Sequence, residues 1–174
     1  MLVRPNFLRL EWPEEENLNN IKRLIKYQKL DKFLRLTRNL YLDLVRVFFT
    51  NLSIEDKIMC SHVKGVDMIL SDEDLLTVTR LKDSGRIVGR GNMEAIGEFN
   101  KVEFFKSCLR NPQAVTRGYP IGGLKMNLWI IASTITWQLI PCGCNHVVIT
   151  EEDLMLIYYI TQHVKINWVY VIKE

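Results

Sequence analysis

No stretch of this 174-residue chain is both long and apolar enough to span a bilayer as a helix. The most hydrophobic segment, 126–140, falls short of the roughly 20 mainly apolar residues a span needs. It is also broken by Asn127, Ser133, Thr134, Thr136 and Gln138. The first residues have no uninterrupted apolar core, and Glu11, Glu14, Glu15 and Glu16 lie among them, which argues against a secretory leader. Cysteine is sparse: Cys60, Cys108, Cys142 and Cys144 do not make the framework of a disulfide-stapled secreted domain. The expectation is an intracellular protein, cytoplasmic or nuclear and not secreted, with no membrane partner and with free, mostly buried thiols. A dominant charge of one sign is missing too, since a net charge of +3 says little about partners.

What is present suits one domain with its own core, mainly α, with one small β-hairpin near residues 58–70. Leu128, Ile131, Ala132, Ile135 and Leu139 follow one stripe of a 3.6-residue helix. Trp129, Ile130, Trp137 and Ile140 spread beyond that stripe, which predicts a helix covered on most sides. Pro141, Gly143 and Asn145 end it, and Thr150 with Asp153 forms a capping box for the next helix. The apolar run 154–160 marks that helix as central.

Earlier in the chain, Leu18, Ile21, Leu24 and Ile25 make a helical face, with a joint near Lys29 and a second face at Leu30, Phe33 and Leu34. Tyr41, Leu44, Val45, Phe48 and Leu52 follow helical spacing, ending at 51–53. From Ile58 the period changes to alternation through Val66, Met68 and Leu70, with Lys64-Gly65 as the tight turn. Ser71 and Asp74 pair as a second capping box, 85–91 reads as loop, 101–109 as helix and 111–123 as a long connection. The chain divides into a basic helical N-terminal segment, 1–37, and a helical domain, 38–174.

A family resemblance rests on the order of several weak motifs. The stretch Val45-Arg46-Val47-Phe48-Phe49-Thr50-Asn51-Leu52 precedes Val63-Lys64-Gly65-Val66, Leu70-Ser71-Asp72-Glu73 and Gly85. Leu139-Ile140-Pro141-Cys142-Gly143-Cys144-Asn145-His146, Thr150-Glu151-Glu152-Asp153-Leu154, Tyr158 and Ile166-Asn167-Trp168-Val169-Tyr170 follow later. This series resembles the plant transposon-protein domain, a helical domain of plant retroelement-derived reading frames, over residues 38–172. The resemblance implies a retroelement origin and no catalytic residues to carry over. The chain departs from the pattern at Cys142, where a basic residue commonly follows the proline, and it stops just after Asn167-Trp168-Val169-Tyr170. Both departures lead to the expectation of a decayed or incomplete copy. In that case the apolar end, 168–172, would await a missing neighbour instead of docking on this chain's own core.

Retroelement enzymes leave recognisable residues, and these are missing or misplaced. Asp83-Ser84-Gly85 has the letters of an aspartic protease loop, but Lys82 and Arg86 replace the apolar flanks such a loop needs, so a surface turn is expected. There is no Asp-Asp pair in an apolar hairpin and no Cys-x-x-Cys knuckle. Cys142, Cys144 and His146, or Cys60 and His62, are spaced too closely for the usual zinc pairs. In the glycine-rich stretch 118–125, Leu124 displaces the lysine of a phosphate loop and Met126 its Ser or Thr. His163 reads as a helix-end or surface residue. Neither catalytic residues, a cofactor, a metal nor a small-molecule substrate is indicated.

One feature has a physical basis for binding. Lys22, Arg23, Lys26, Lys29, Lys32, Arg35 and Arg38 stand against only Asp31, with Lys22, Lys26 and Lys29 on one expected helix face. Arg80, Lys82, Arg86 and Arg90 form a second basic stretch among glycines. The competing account is a solvated face paired in part with the glutamates at 11–16. The sequence therefore points first to a non-enzymatic protein-interaction or self-assembly domain, and second to sequence-nonspecific nucleic-acid binding through residues 22–38.

Overall fold

The uninterrupted apolar run at 154–160 cannot leave a face in water, so the rest of the chain must be laid around it. The structure, a computed structural model, describes residues 2–3, 16–36, 40–56, 58–88, 99–114, 117–140 and 147–173. In chain order the elements are β1 (Leu2–Val3), α1 (Glu16–Tyr27), β2 (Leu40–Tyr41), α2 (Leu42–Thr50), β3 (Ser53–Glu55), β4 (Ile58–Val63) and β5 (Val66–Leu70). Then come α3 (Asp72–Thr79), α4 (Lys101–Cys108), a 3-10 turn at Ile121–Gly123, α5 (Met126–Thr134), α6 (Glu151–Thr161) and α7 (Trp168–Lys173). A π-helical turn, Ile135–Leu139, prolongs α5.

α6 is the centre. Its capping box is formed in both directions: the Asp153 N–H donates to Thr150 Oγ1 at 3.1 Å, and the Thr150 N–H donates to the Asp153 carboxylate at 2.9 Å. Behind that cap every residue from Asp153 to Ile160 except Tyr158 is buried. α4 and α5 pack on it, and Tyr158 joins Phe99 and Phe104 in a ring cluster with centroids 4.8 and 5.0 Å away. The stripe Leu128, Ile131, Ala132, Ile135 and Leu139 is buried as its spacing requires. Trp129 and Trp137 are exposed, but Ile130, Thr134 and Thr136 are buried beyond the stripe, so the helix is covered on most sides and open along one narrow strip. In the π turn the Ile140 N–H reaches back five residues to the Ile135 carbonyl at 2.8 Å, and both Ile135 and Leu139 stay in the core.

α1 docks on α5, and Ile21, Leu24, Leu30 and Leu34 share the core with residues of α4 to α7. The joint expected near Lys29 is a helix-ending motif: Lys29 takes a left-handed φ of 60°, its N–H donates to Lys26 O, and the Leu30 N–H donates to Ile25 O. Residues 31–35 continue as turns, not as a second helix. The fit against α5 is close, leaving a void of only about 10 Å³ among Leu24, Leu30, Ile131 and Ile135.

The hairpin is present, with Val63 opposite Val66 and both Lys64 and Gly65 at positive φ, as a two-residue turn matched to strand twist requires. It is not alone. β3 pairs antiparallel with β4, giving the order β3-β4-β5, so the fold combines helices with a small antiparallel sheet. The chain end also corrects its expectation: Trp168, Val169 and Val171 are buried in this chain's own core, where α7 packs beside α3. The Asn167 side chain caps α7 by accepting from the Tyr170 N–H at 3.3 Å.

Candidate functional site

Two regions of the surface stand apart. The first is the unit of α2 and the sheet. Apolar residues here alternate or repeat correctly, yet neither α2 nor α3 has a buried residue. The sheet leans on α2 through polar links, Ser61 Oγ donating to Phe48 O at 2.8 Å and Asn51 Nδ2 to His62 O at 2.7 Å. Phe49 on α2 is 65% exposed and Ile69 on β5 is 66% exposed, with Ile54, Val66 and Met68 also open. Among the described residues β5 is an edge strand, bonded only to β4. Its one charged side chain, Asp67, accepts from the His62 Nδ1–H at 2.6 Å. It carries no lysine, proline or bulge of the kind that shields an edge.

The second region gathers basic residues that the sequence had placed in separate stretches. Lys22 and Lys26 lie on α1, but Lys29 sits in the left-handed turn beyond the helix end, so the three do not form one helix face. Arg23, Lys26, Lys32 and Arg35 are exposed, and Arg38 and Arg90 lie outside the described residues. Lys29 instead meets Lys82 and Lys165 at a cleft of about 150 Å³, lined further by Tyr27, Gln28, Leu81, Ser84, Ile166 and Trp168.

Three chain segments are locked together to make that cleft. Gln28, only 4% exposed, donates from Nε2 to Val164 O at 2.7 Å and accepts at Oε1 from the Ile166 N–H at 3.1 Å. The Arg86 N–H donates to Lys165 O at 2.8 Å, and the Asn167 N–H returns to Arg86 O at 2.9 Å, a parallel bridge. Asn167 Nδ2 donates to Asp83 Oδ1 at 2.6 Å. Gly85 permits this approach, for at φ 117° a Cβ there would lie 2.7 Å from the Ile166 carbonyl carbon. The helix end of α6 repeats that of α1: His163 is left-handed at φ 56°, the Val164 N–H donates to Tyr159 O, and the His163 ring meets Tyr27 edge-on at 5.7 Å.

The remaining motifs resolve as structure. Asp83-Ser84-Gly85 is a packing turn whose carboxylate is held by Asn167. Lys125 in the glycine-rich stretch donates from Nζ to Ser107 O at 2.9 Å. Among the described residues no group of three His, Cys, Asp or Glu side chains is placed to hold a metal, and Cys142, Cys144 and His146 lie outside them. Among the described residues no helix is long and apolar enough to cross a membrane. No family model matches this chain, and neither a curated protein nor a solved structure matches it.

Gln28, Lys165 and Trp168 were not legible as site residues. They are separated from one another or from Lys82 by scores of positions, and no spacing rule joins them. Only the basic character of 80–86 and its glycine pointed toward this place.

Proposed function

We propose that this chain is a non-enzymatic interaction domain that assembles with a second copy of itself through the β5 edge, and that it descends from a plant retroelement as the motif order implies. The observation that carries the assembly reading is β5 itself: an unshielded edge strand with Val66, Met68 and Ile69 exposed and its single carboxylate already engaged by His62. Such an edge offers a row of backbone donors and acceptors to another strand, and antiparallel pairing of two β5 strands places the same apolar residues against each other. Phe49 and Ile54 on neighbouring elements extend the apolar area.

Light scattering coupled to size exclusion tests this reading. The full chain is expected to shift from monomer to dimer between micromolar and millimolar concentration, and Ile69→Lys, which adds a charge to the edge, is expected to remain monomeric with an unchanged melting temperature. A wild-type chain that stays monomeric throughout that range would sink it.

Nucleic-acid binding is the second reading, favoured by one observation. Among the described residues, Arg23, Lys26, Lys32 and Arg35 are exposed and none is in a salt bridge. Phosphate contacts of this kind weaken steeply with salt, whereas apolar strand pairing does not. Lys22→Glu, Lys26→Glu and Lys29→Glu together should abolish retention on RNA or DNA at low salt, and unchanged retention would remove this reading.

A further inference from the structure

The cleft between the α1 end, the 81–86 loop and residues 165–168 lies outside the β5 surface, and we propose that it binds a phosphate dianion, as free orthophosphate or the end of a small phosphomonoester. Its volume of about 150 Å³ is well below the ≈ 300–1,000 Å³ typical of pockets for drug-sized ligands. That limits the ligand to one oxyanion with a small substituent. Lys29, Lys82 and Lys165 line it and no carboxylate does. Asp83, which lies between two lining residues in sequence, is turned to Asn167. Among the described residues none of the three lysines is in a salt bridge, although Lys165 Nζ stands 5.5 Å over the Tyr27 ring.

The C-termini of α1, α3 and α6 end beside this cleft, and each carries about half a negative charge. That is a structural reason for cations here, but three half charges do not neutralise three full ones, and the surplus is positive. Ammonium groups on flexible stems are point charges suited to an anion approached from several sides. Neutral donors complete the set. Ser84 supplies a hydroxyl, and Trp168, 2% exposed, has an indole N–H with no hydrogen-bond acceptor among the described residues. The Nε1 atom itself is closed to solvent, so an oxyanion in the cleft pairs this donor only through a small displacement of the wall that Trp168 forms.

Indole signals in ¹H–¹⁵N correlation spectra of the full chain test the proposal, with inorganic phosphate, phenyl phosphate or a dinucleotide added at constant ionic strength. Phosphate and phenyl phosphate are expected to move, saturably, the signal that disappears in Trp168→Phe. Lys29→Asn, Lys82→Gln and Lys165→Gln combined should weaken that response by about tenfold or more, the loss expected for charge-assisted hydrogen bonds. Asparagine keeps the left-handed turn at Lys29 accessible. If the triple variant loses its dispersed spectrum, Lys82→Gln alone is read, with about tenfold weakening again expected. Ile69→Lys should leave the response unchanged, which separates this site from the assembly surface. The proposal is overturned by the absence of a saturable shift, by an undiminished response in the lysine variants, or by a response to the dinucleotide alone, which would assign the cleft to nucleic acid.

Discussion

Gly85 and Gln28 show how single residues hold the cleft. A Cβ at Gly85 would approach Ile166 C at 2.7 Å and Lys165 O at 2.9 Å, both backbone atoms that cannot swing away, and φ is 117°. Gly85→Ala should therefore cost about 2 kcal/mol or more in urea unfolding. Gly65 is the control: it too has positive φ, 85°, but nothing lies within 4 Å of an added Cβ. Gly65→Ala should cost only about 1 kcal/mol of backbone strain. Gln28→Ala would strand a half-buried carbonyl at Val164 and the buried N–H of Ile166, with a loss of about 2–3 kcal/mol expected from the two unsatisfied groups. Cys108 is a different case, since burial pushes its thiol up to about 11. It should resist alkylation at neutral pH until the chain unfolds, as peptide mass mapping would show. Because the folded-state value is the higher one, the thiol's contribution to stability is present below its ordinary range and is lost as pH rises toward 11.

The two capping boxes are alike in chemistry and differ in what stands behind them. At α3, Ser71 Oγ accepts from the Asp74 N–H and the Asp74 carboxylate accepts from the Ser71 N–H and hydroxyl. Those bonds hold the Asp74 carboxyl below its usual range, so the cap is complete at neutral pH and is lost as pH falls through that lowered value. At α6 the same box starts a helix whose next seven buried or half-buried residues form the centre of the core. Thr150→Ala should thus lower global stability by about 1 kcal/mol. Ser71→Ala should instead speed hydrogen exchange within α3 alone, because α3 has no buried residue to couple it to the rest. Equal effects of the two substitutions on the melting temperature would contradict this division. Lys101, whose ammonium pairs with Glu151 at 2.6 Å and is thereby raised above its ordinary value, ties α4 to the same end of α6.

Across the molecule, burial is uneven in a way that predicts its exchange behaviour. α5 with its π turn, α6 and α7 hold about half of the buried side chains, while α2, α3 and β5 hold none. Amide exchange should be slowest in α6 and fastest in the α2 and β3–β5 unit, with protection of β5 rising with concentration if the proposed dimer forms. Most of the helices were legible from spacing because 3.6-residue stripes and capping pairs are local: the boxes at Ser71 and Thr150 and the stripe through Leu128 and Leu139 all form as read. The Lys64-Gly65 turn was legible for the same reason, since left-handed φ is a property of two residues. β3 was not, because three residues beside a hairpin carry no periodic signal and become a strand only when Met59 is there to pair with Ile54. Nor could spacing say which apolar faces would be covered. Trp129 and Trp137 read as covered and lie exposed, while Trp168 at the chain end is buried, because coverage depends on which element arrives opposite. The cleft belongs to the same class: Lys29, Lys82 and Lys165 are neighbours only after Gln28, Gly85 and Asn167 bind distant backbone together. Local backbone preference is written in adjacent residues, whereas burial and the meeting of charges are properties of pairs that the folded chain alone brings within reach.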